Sequence, residues 1–280
     1  VVALDNDGLK NTEVRTVVRE SALPKGKAWA AIIGVSRYSN NQIPSLKYGD
    51  ADARLLRDFL MTRMKGVFST PNVRLLVNED ATTQRVRDTL FQFLGQADED
   101  DLVLVFFAGH GLPDPTKPSN NYLLTYDTDP DRLAATAFPM WDVQTALERH
   151  IQSKNVIVFA DACHSGAIAG GVGTRAMGND INKYLAELSE VGPGRLVFTA
   201  SRQGETSQES KKWGGGHGVF SHFLVKGLEG SADSDKDGFV RADEIIDYVS
   251  DKVRRATKAR QHPDTAGDFP SRWPLSVLPQ

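Results

Sequence analysis

At 280 residues, 40 % hydrophobic and 25 % charged, the chain can bury a large core, as one α/β domain or two smaller ones. Its 33 basic and 36 acidic residues are well mixed and sum to −3, so no basic stripe invites nucleic acid. No apolar run approaches the roughly 18 residues of a membrane helix. The single cysteine, Cys163, excludes an internal disulfide and is compatible with a reducing, cytoplasmic setting for a soluble protein. The first residue is Val1 rather than Met, as expected of a piece cut from a longer chain with other domains and, if it has one, its targeting signal elsewhere.

Residues 1–26 mix charges, Gly and Pro around one β-like stretch, TEVRTVV, and read as a linker or an added edge strand. From Lys27 onward, apolar runs alternate with amphipathic helices. KAWAAIIGVS (27–36) is a buried strand, too short for a membrane helix. ADARLLRDFLMTRM (51–64) puts Ala51, Leu55, Leu56, Phe59 and Leu60 on one helical face. NVRLLV (72–77) is a strand, and Thr82 or Thr83 caps the helix that follows, with Val86, Leu90, Phe93 and Leu94 at helical spacing. DLVLVFF (101–107) is a strand followed by a turn, Ala-Gly-His-Gly; 139–151 is a helix with Pro139 near its start. NVIVFADAC (155–163) is a strand ending on Cys163. A Gly-rich stretch (166–178), a helix around 182–188, a strand RLVFTAS (195–201) and helices at 218–228 and 242–259 complete the chain. This alternation predicts right-handed crossovers and a mostly parallel sheet with helices on both faces.

In open parallel sheets, ligands bind beyond the carboxyl ends of the strands. Two strands there end in reactive residues, His110 and Cys163, on the same edge. A thiol needs a base to become a good nucleophile near neutral pH, and an imidazole within hydrogen-bond reach provides one. The neighbouring glycines leave room for a substrate carbonyl, and the N–H groups of Gly111 and Cys163 are candidate donors to its oxyanion. A lone Cys at the end of a buried strand is most often a small hydrophobe; the histidine 53 residues upstream is what raises it to a candidate nucleophile. His164 is adjacent in sequence and points elsewhere. His217 reads as a loop residue opening a helix, and His150, His222 and His262 as surface or packing positions.

FFAGHG and DACHSG resemble the two catalytic motifs of metacaspases and bacterial caspase-like proteins, and SLKYGDADARLLRDFL resembles the family's segment after the first strand. The likeness runs from about Lys27 to Leu228. It implies the caspase–haemoglobinase fold, a mostly parallel six-stranded sheet with helices on both faces, filling 27–280. A large-subunit-like part (27–170), a junction (171–193) and a small-subunit-like part (194–280) would divide it. It also implies a cysteine endopeptidase that needs no cofactor for its chemistry and takes a protein or peptide substrate. True caspases have Gln-Ala-Cys at the nucleophile; here it is Asp161-Ala162-Cys163. In metacaspases the positions of Asp52 and Asp161 line the pocket for the residue before the cut, so a substrate Arg or Lys is expected there rather than Asp. TASRQGETSQESKKW resembles the substrate-side loop, with Ser201, Glu205 and Trp213 as weaker contact candidates. The junction is often cut in this clan, and Arg175 is the candidate self-cleavage site.

DSDKDGFVRADE (233–244) has EF-hand spacing: Asp233, Asp235 and Asp237, Gly238 at the turn, the Phe239 carbonyl, and Glu244 at position 12. Arg241 at position 9 argues against Ca²⁺, as does the absence of a second loop. Metacaspases that respond to calcium use other residues, so an ion here would pin the last helix. Two other readings compete: a catalytically silent caspase-like scaffold, which would have no need of Cys163 and His110, and a gingipain- or clostripain-like peptidase of other specificity.

Overall fold

The structure is a computed structural model describing residues 2–4, 10–12, 26–117, 119–164, 193–202 and 204–278; for the first six, and for Cys163 and His164, only the backbone is described. In chain order the strands and helices are β1 (Val2–Leu4), β2 (Lys10–Thr12), β3 (Ala28–Gly34), α1 (Gly49–Thr62), β4 (Phe68–Val77), α2 (Thr83–Asp88), β5 (Leu102–Pro113), β6 (Asn121–Leu123), α3 (Leu133–Thr136), β7 (Phe138–Pro139), α4 (Met140–Thr145) and β8 (Asn155–His164). Then come β9 (Arg195–Thr199), β10 (Glu209–Ser210), β11 (His217–Gly218), α5 (Val219–Lys226), β12 (Phe239–Arg241), α6 (Ala242–Ala256), β13 (Asp264–Ala266) and β14 (Pro274–Val277).

The main sheet has the order β13-β9-β8-β5-β3-β4, six strands along its path, and β6 and β7 extend it to eight at the end of β5. Neighbours from β4 to β9 are parallel, and β13 closes the edge antiparallel. Alternate residues of each strand feed opposite layers, because successive side chains point to opposite faces. Trp29, Ala31, Ile33, Val103, Val105, Val156 and Val158 pack towards α2 and α4. Ala30, Ile32, Leu104, Phe106, Ile157 and Phe159 pack towards α1, α5 and α6. With both faces covered, the strands read as nearly continuous apolar runs.

Two expectations change. The turn after Phe107 does not form: β5 runs on to Pro113 and carries His110 inside it, because Ala108–Gly111 keep pairing with Asp161–His164 while Gly111–Pro113 also pair with β6. The helix from Thr83 is capped by the Thr82 side chain and continues beyond Asp88 through a wider turn (Thr89–Phe93) and a tighter one (Leu94–Gln96). At the N-terminus, β1 and β2 pair with each other; of TEVRTVV only Thr12 is described. The Gly-rich stretch, the helix expected around 182–188, and Arg175 lie outside the described residues.

Candidate active site

The end of β5 meets the end of β8 in register: His110 pairs with Cys163 and Gly111 with His164. Neighbouring strands run about 4.8 Å apart, so 53 residues of sequence separation collapse to adjacent backbone positions. His110 is buried and held on three sides. Its N–H donates to the Tyr38 hydroxyl at 3.0 Å, its ring stacks on Tyr38 (centroids 5.5 Å apart, 20° between planes), and its Nε2 lies 2.9 Å from the Pro44 carbonyl oxygen. A carbonyl can only accept, so Nε2 carries a proton, and in the neutral ring Nδ1 is the basic nitrogen.

Tyr38 and Pro44 sit on the segment between β3 and α1, which is itself fastened. The Asn78 side-chain oxygen accepts from Ser36 N (2.9 Å) and Arg37 N (3.0 Å), and its amide donates to Asp50 (2.9 Å). Asn78 has φ +48°, a conformation Asn tolerates better than most residues. Neither Tyr38 nor Pro44 stands out in the sequence.

Beside these paired positions lies a small cleft lined by Asp52, Asp161, Ser207, Gln208, Glu209 and Gly218, together with Ala108 and Gly109 of β5. Its cavity volume is about 10 Å³, room for roughly one water. Asp52 comes from α1 and Asp161 from β8, two positions before Cys163; both are buried. Asp161 accepts from Ser207 Oγ (2.5 Å) and Ser221 Oγ (3.0 Å). Ser207 is anchored in turn by the buried Gln261 amide at 3.1 Å. Asp52 accepts from Gly218 N at 3.0 and 3.2 Å, and its Oδ1 lies 2.8 Å from His217 Nδ1. A Cβ on Gly218 would lie 2.6 Å from Asp161 Oδ2 and 2.8 Å from Asp52 Oδ2, so both oxygens converge on the space that glycine leaves. Burial pushes the Asp52 carboxyl up to about 7, with the hydrogen bond from His217 opposing and the Asp161 charge adding. Burial also raises Asp161, against its two serine hydrogen bonds.

The structure therefore brings Asp52 and Asp161 to one cleft, next to the paired backbone positions of His110 and Cys163. Gly111, expected to donate to an oxyanion from an open turn, is instead inside the ladder between β6 and β8. The substrate-side candidates lie elsewhere. Glu205 binds His262 through Nδ1 and backbone N (both 2.6 Å), Ser201 is buried, and Trp213 packs on the apolar layer under α5. Ser207, Gln208 and Glu209 of the same loop line the cleft in their place. His217, read as a plain loop residue, is bonded to Asp52.

In the loop 233–244, Asp233, Asp235 and Asp237 each bring an oxygen within 4.8 Å of the others, as a cation would require. Glu244 is engaged by the loop's own backbone: it accepts from Ser234 N and Oγ (2.8 Å each) and from Arg241 N (3.1 Å), capping α6. The Arg241 guanidinium lies 2.5 Å from Asp237. In this conformation Arg241 and Arg272 counter two of the three carboxylates, and the set fits a calcium ion only with Arg241 withdrawn from Asp237.

A family model described as the caspase domain matches residues 27–270. No curated protein matches the chain. Among solved structures, the crystal structure of protein GSU0716 from Geobacter sulfurreducens is similar at a TM-score of 0.60 and 17 % identity, covering 90 % of this chain and 100 % of that one. At that identity the likeness concerns the fold alone. No helix among the described residues is long and apolar enough to cross a membrane.

Proposed function

Since the chain belongs to the caspase-domain family of peptidases, we propose that it is a cysteine endopeptidase in which Cys163 is the nucleophile, His110 its base, and an Arg or Lys the residue before the cut. The observation that carries this reading is the register of His110 against Cys163, with Nε2 of His110 committed to the Pro44 carbonyl. Nδ1 would take the thiol proton as sulfur bonds to the scissile carbonyl carbon. His110 then returns that proton to the departing amine as the C–N bond breaks. A water, deprotonated by the same nitrogen, hydrolyses the thioester and releases Cys163. The backbone N–H of Cys163 remains the candidate donor to the oxyanion.

Specificity follows from the cleft. Asp52 and Asp161, two buried carboxylates converging on one space, favour a cation and disfavour a substrate Asp. The cavity is smaller than a guanidinium, so substrate must widen it, and its charge would draw both carboxyls back to their ionised forms. The partners are protein or peptide substrates of a regulated protease.

Fluorogenic peptides carrying Arg, Lys or Asp before the cut test the reading directly. Arg and Lys peptides should be turned over far better than Asp peptides, and Cys163→Ala and His110→Ala should each lose at least about 10³-fold with the fold intact. Substantial turnover by folded Cys163→Ala, or preference for Asp, would overturn it. A wild type inert on every peptide would favour a silent scaffold.

A further inference from the structure

Asp52 is gripped from the side away from the cleft. His217 is not among the cleft's lining residues, yet its Nδ1 holds Oδ1 of Asp52 at 2.8 Å, while Oδ2, which accepts from Gly218 N at 3.0 Å, borders the space beside Asp161. The grip is built by the local chain. His217 pairs with Ser210 in the β10–β11 hairpin, and the preceding Gly214, Gly215 and Gly216 take φ of +59°, +91° and +148°, conformations open to glycine. A Cβ at Gly214 would stand 2.9 Å from His217 Cδ2 and 3.0 Å from His222 Nδ1, so the imidazole is seated in a slot that only a glycine loop leaves open.

We propose that His217 is a positioning residue of the acidic pocket, holding Oδ1 of Asp52 from outside so that Oδ2 is presented to a basic substrate side chain. The inference rests on the reading of the cleft as a site for Arg or Lys. Its physical basis is that a buried carboxylate next to a second one takes up a proton or turns away unless a donor holds it. The titratable groups around this pair are Asp161 from β8, Glu209 from β10 and His222 from α5. Burial, then the Lys226 and His217 charges, push His222 down to about 4, so it stays neutral and brings no competing charge. The hydrogen bond from His217 is the strongest influence opposing the upward push of burial on Asp52. Its loss therefore raises the pH at which the pocket charges.

The experiment compares wild type with His217→Leu, which keeps volume without a donor, and His217→Asn, whose amide N–H can reach the position of Nδ1. Arginyl-peptide kinetics are followed from about pH 6 to about pH 9, with benzamidine inhibition and the alkylation rate of Cys163 by iodoacetamide measured alongside. His217→Leu should raise KM and the benzamidine inhibition constant about tenfold near neutral pH, change saturated kcat by less than about threefold, and move the acid limb up by about one pH unit. His217→Asn should restore KM to within about threefold of wild type, and alkylation should be equal in all three. Unchanged KM and acid limb in His217→Leu would overturn the inference, as would an equally impaired His217→Asn or an alkylation rate that falls together with affinity. A wild type that ignores both arginyl peptides and benzamidine would instead remove the reading of the cleft on which the inference stands.

Discussion

Replacing Asp52 by Asn keeps the shape of the cleft and removes one of its charges, and the consequence for stability is opposite to that for activity. The Asp52 carboxyl is raised from 3.8 to about 7, chiefly by burial. A group that binds its proton more tightly folded than unfolded stabilises the protein fully below its unfolded pKa, and that contribution is lost as pH rises through the folded value. For a shift of about three units the loss is at most about 4 kcal/mol, and a site that relaxes and admits water realises about half of it. Asn has no proton to lose and can still accept from Gly218 N. In a Cys163→Ala background, which lacks the proposed nucleophile, Asp52→Asn should match the parent near pH 4.5 and exceed it near pH 8 by about 4–8 °C in Tm. In the active background the same substitution should lower arginyl-peptide kcat/KM at least about tenfold. A Tm difference that does not vary with pH, or a variant relatively less stable near pH 8, would show that Asp52 is not held against its own charge.

Three further outcomes are expected. Tyr38→Phe keeps the ring against His110 but leaves the buried His110 N–H without its hydroxyl acceptor, so stability should fall by about 1–3 kcal/mol in denaturant titration with KM unchanged; an unaltered midpoint would mean the N–H finds another acceptor. Millimolar Ca²⁺ should shift the Tm of wild type by about 1 °C or less and that of Arg241→Gln by several degrees, because the guanidinium on Asp237 has to leave first; equal shifts in both proteins would show that Arg241 does not compete. Wild type incubated alone should be cut after Arg175 while Cys163→Ala remains whole by mass spectrometry, and an uncut, fully active wild type would show that this segment is not a switch.

The sheet was legible because its strands are covered on both faces and read as short apolar runs; the ends of β3 and β8 lie within two residues of their expected places. Gly109 and Gly111 carry the composition of a turn, whereas pairing with β6 and β8 keeps the chain extended through Pro113. His110, Cys163, Asp52 and Asp161 carry recognisable motifs. Pro44 acts through a backbone carbonyl, which has no signature in a side-chain alphabet, and Tyr38 through a contact 72 residues away. His217 escaped notice because its partner is 165 residues distant, and Ser207 and Ser221 because hydroxyls are too common to mark a site. Glu205, a polar loop residue in sequence, is held by His262 57 residues on, a contact that no local pattern marks.

The residues of the acidic cleft come from opposite sides of the connection between His164 and Pro193. Asp52 and Asp161 precede it, while His217, Gly218, Ser207 and Ser221, which supply their hydrogen bonds, all follow it. A break in that connection would leave the pieces joined by the β8–β9 ladder and by Phe198 packed between Phe159 and Phe220, so they should travel together until denaturant parts them. Once parted, the first piece would carry Cys163, His110 and two carboxylates opened to water, their protons again lost in the ordinary acid range. The proposed preference for a basic residue would then belong to neither piece alone but to the mated pair, and its recovery on remixing would report how far the two had reassembled.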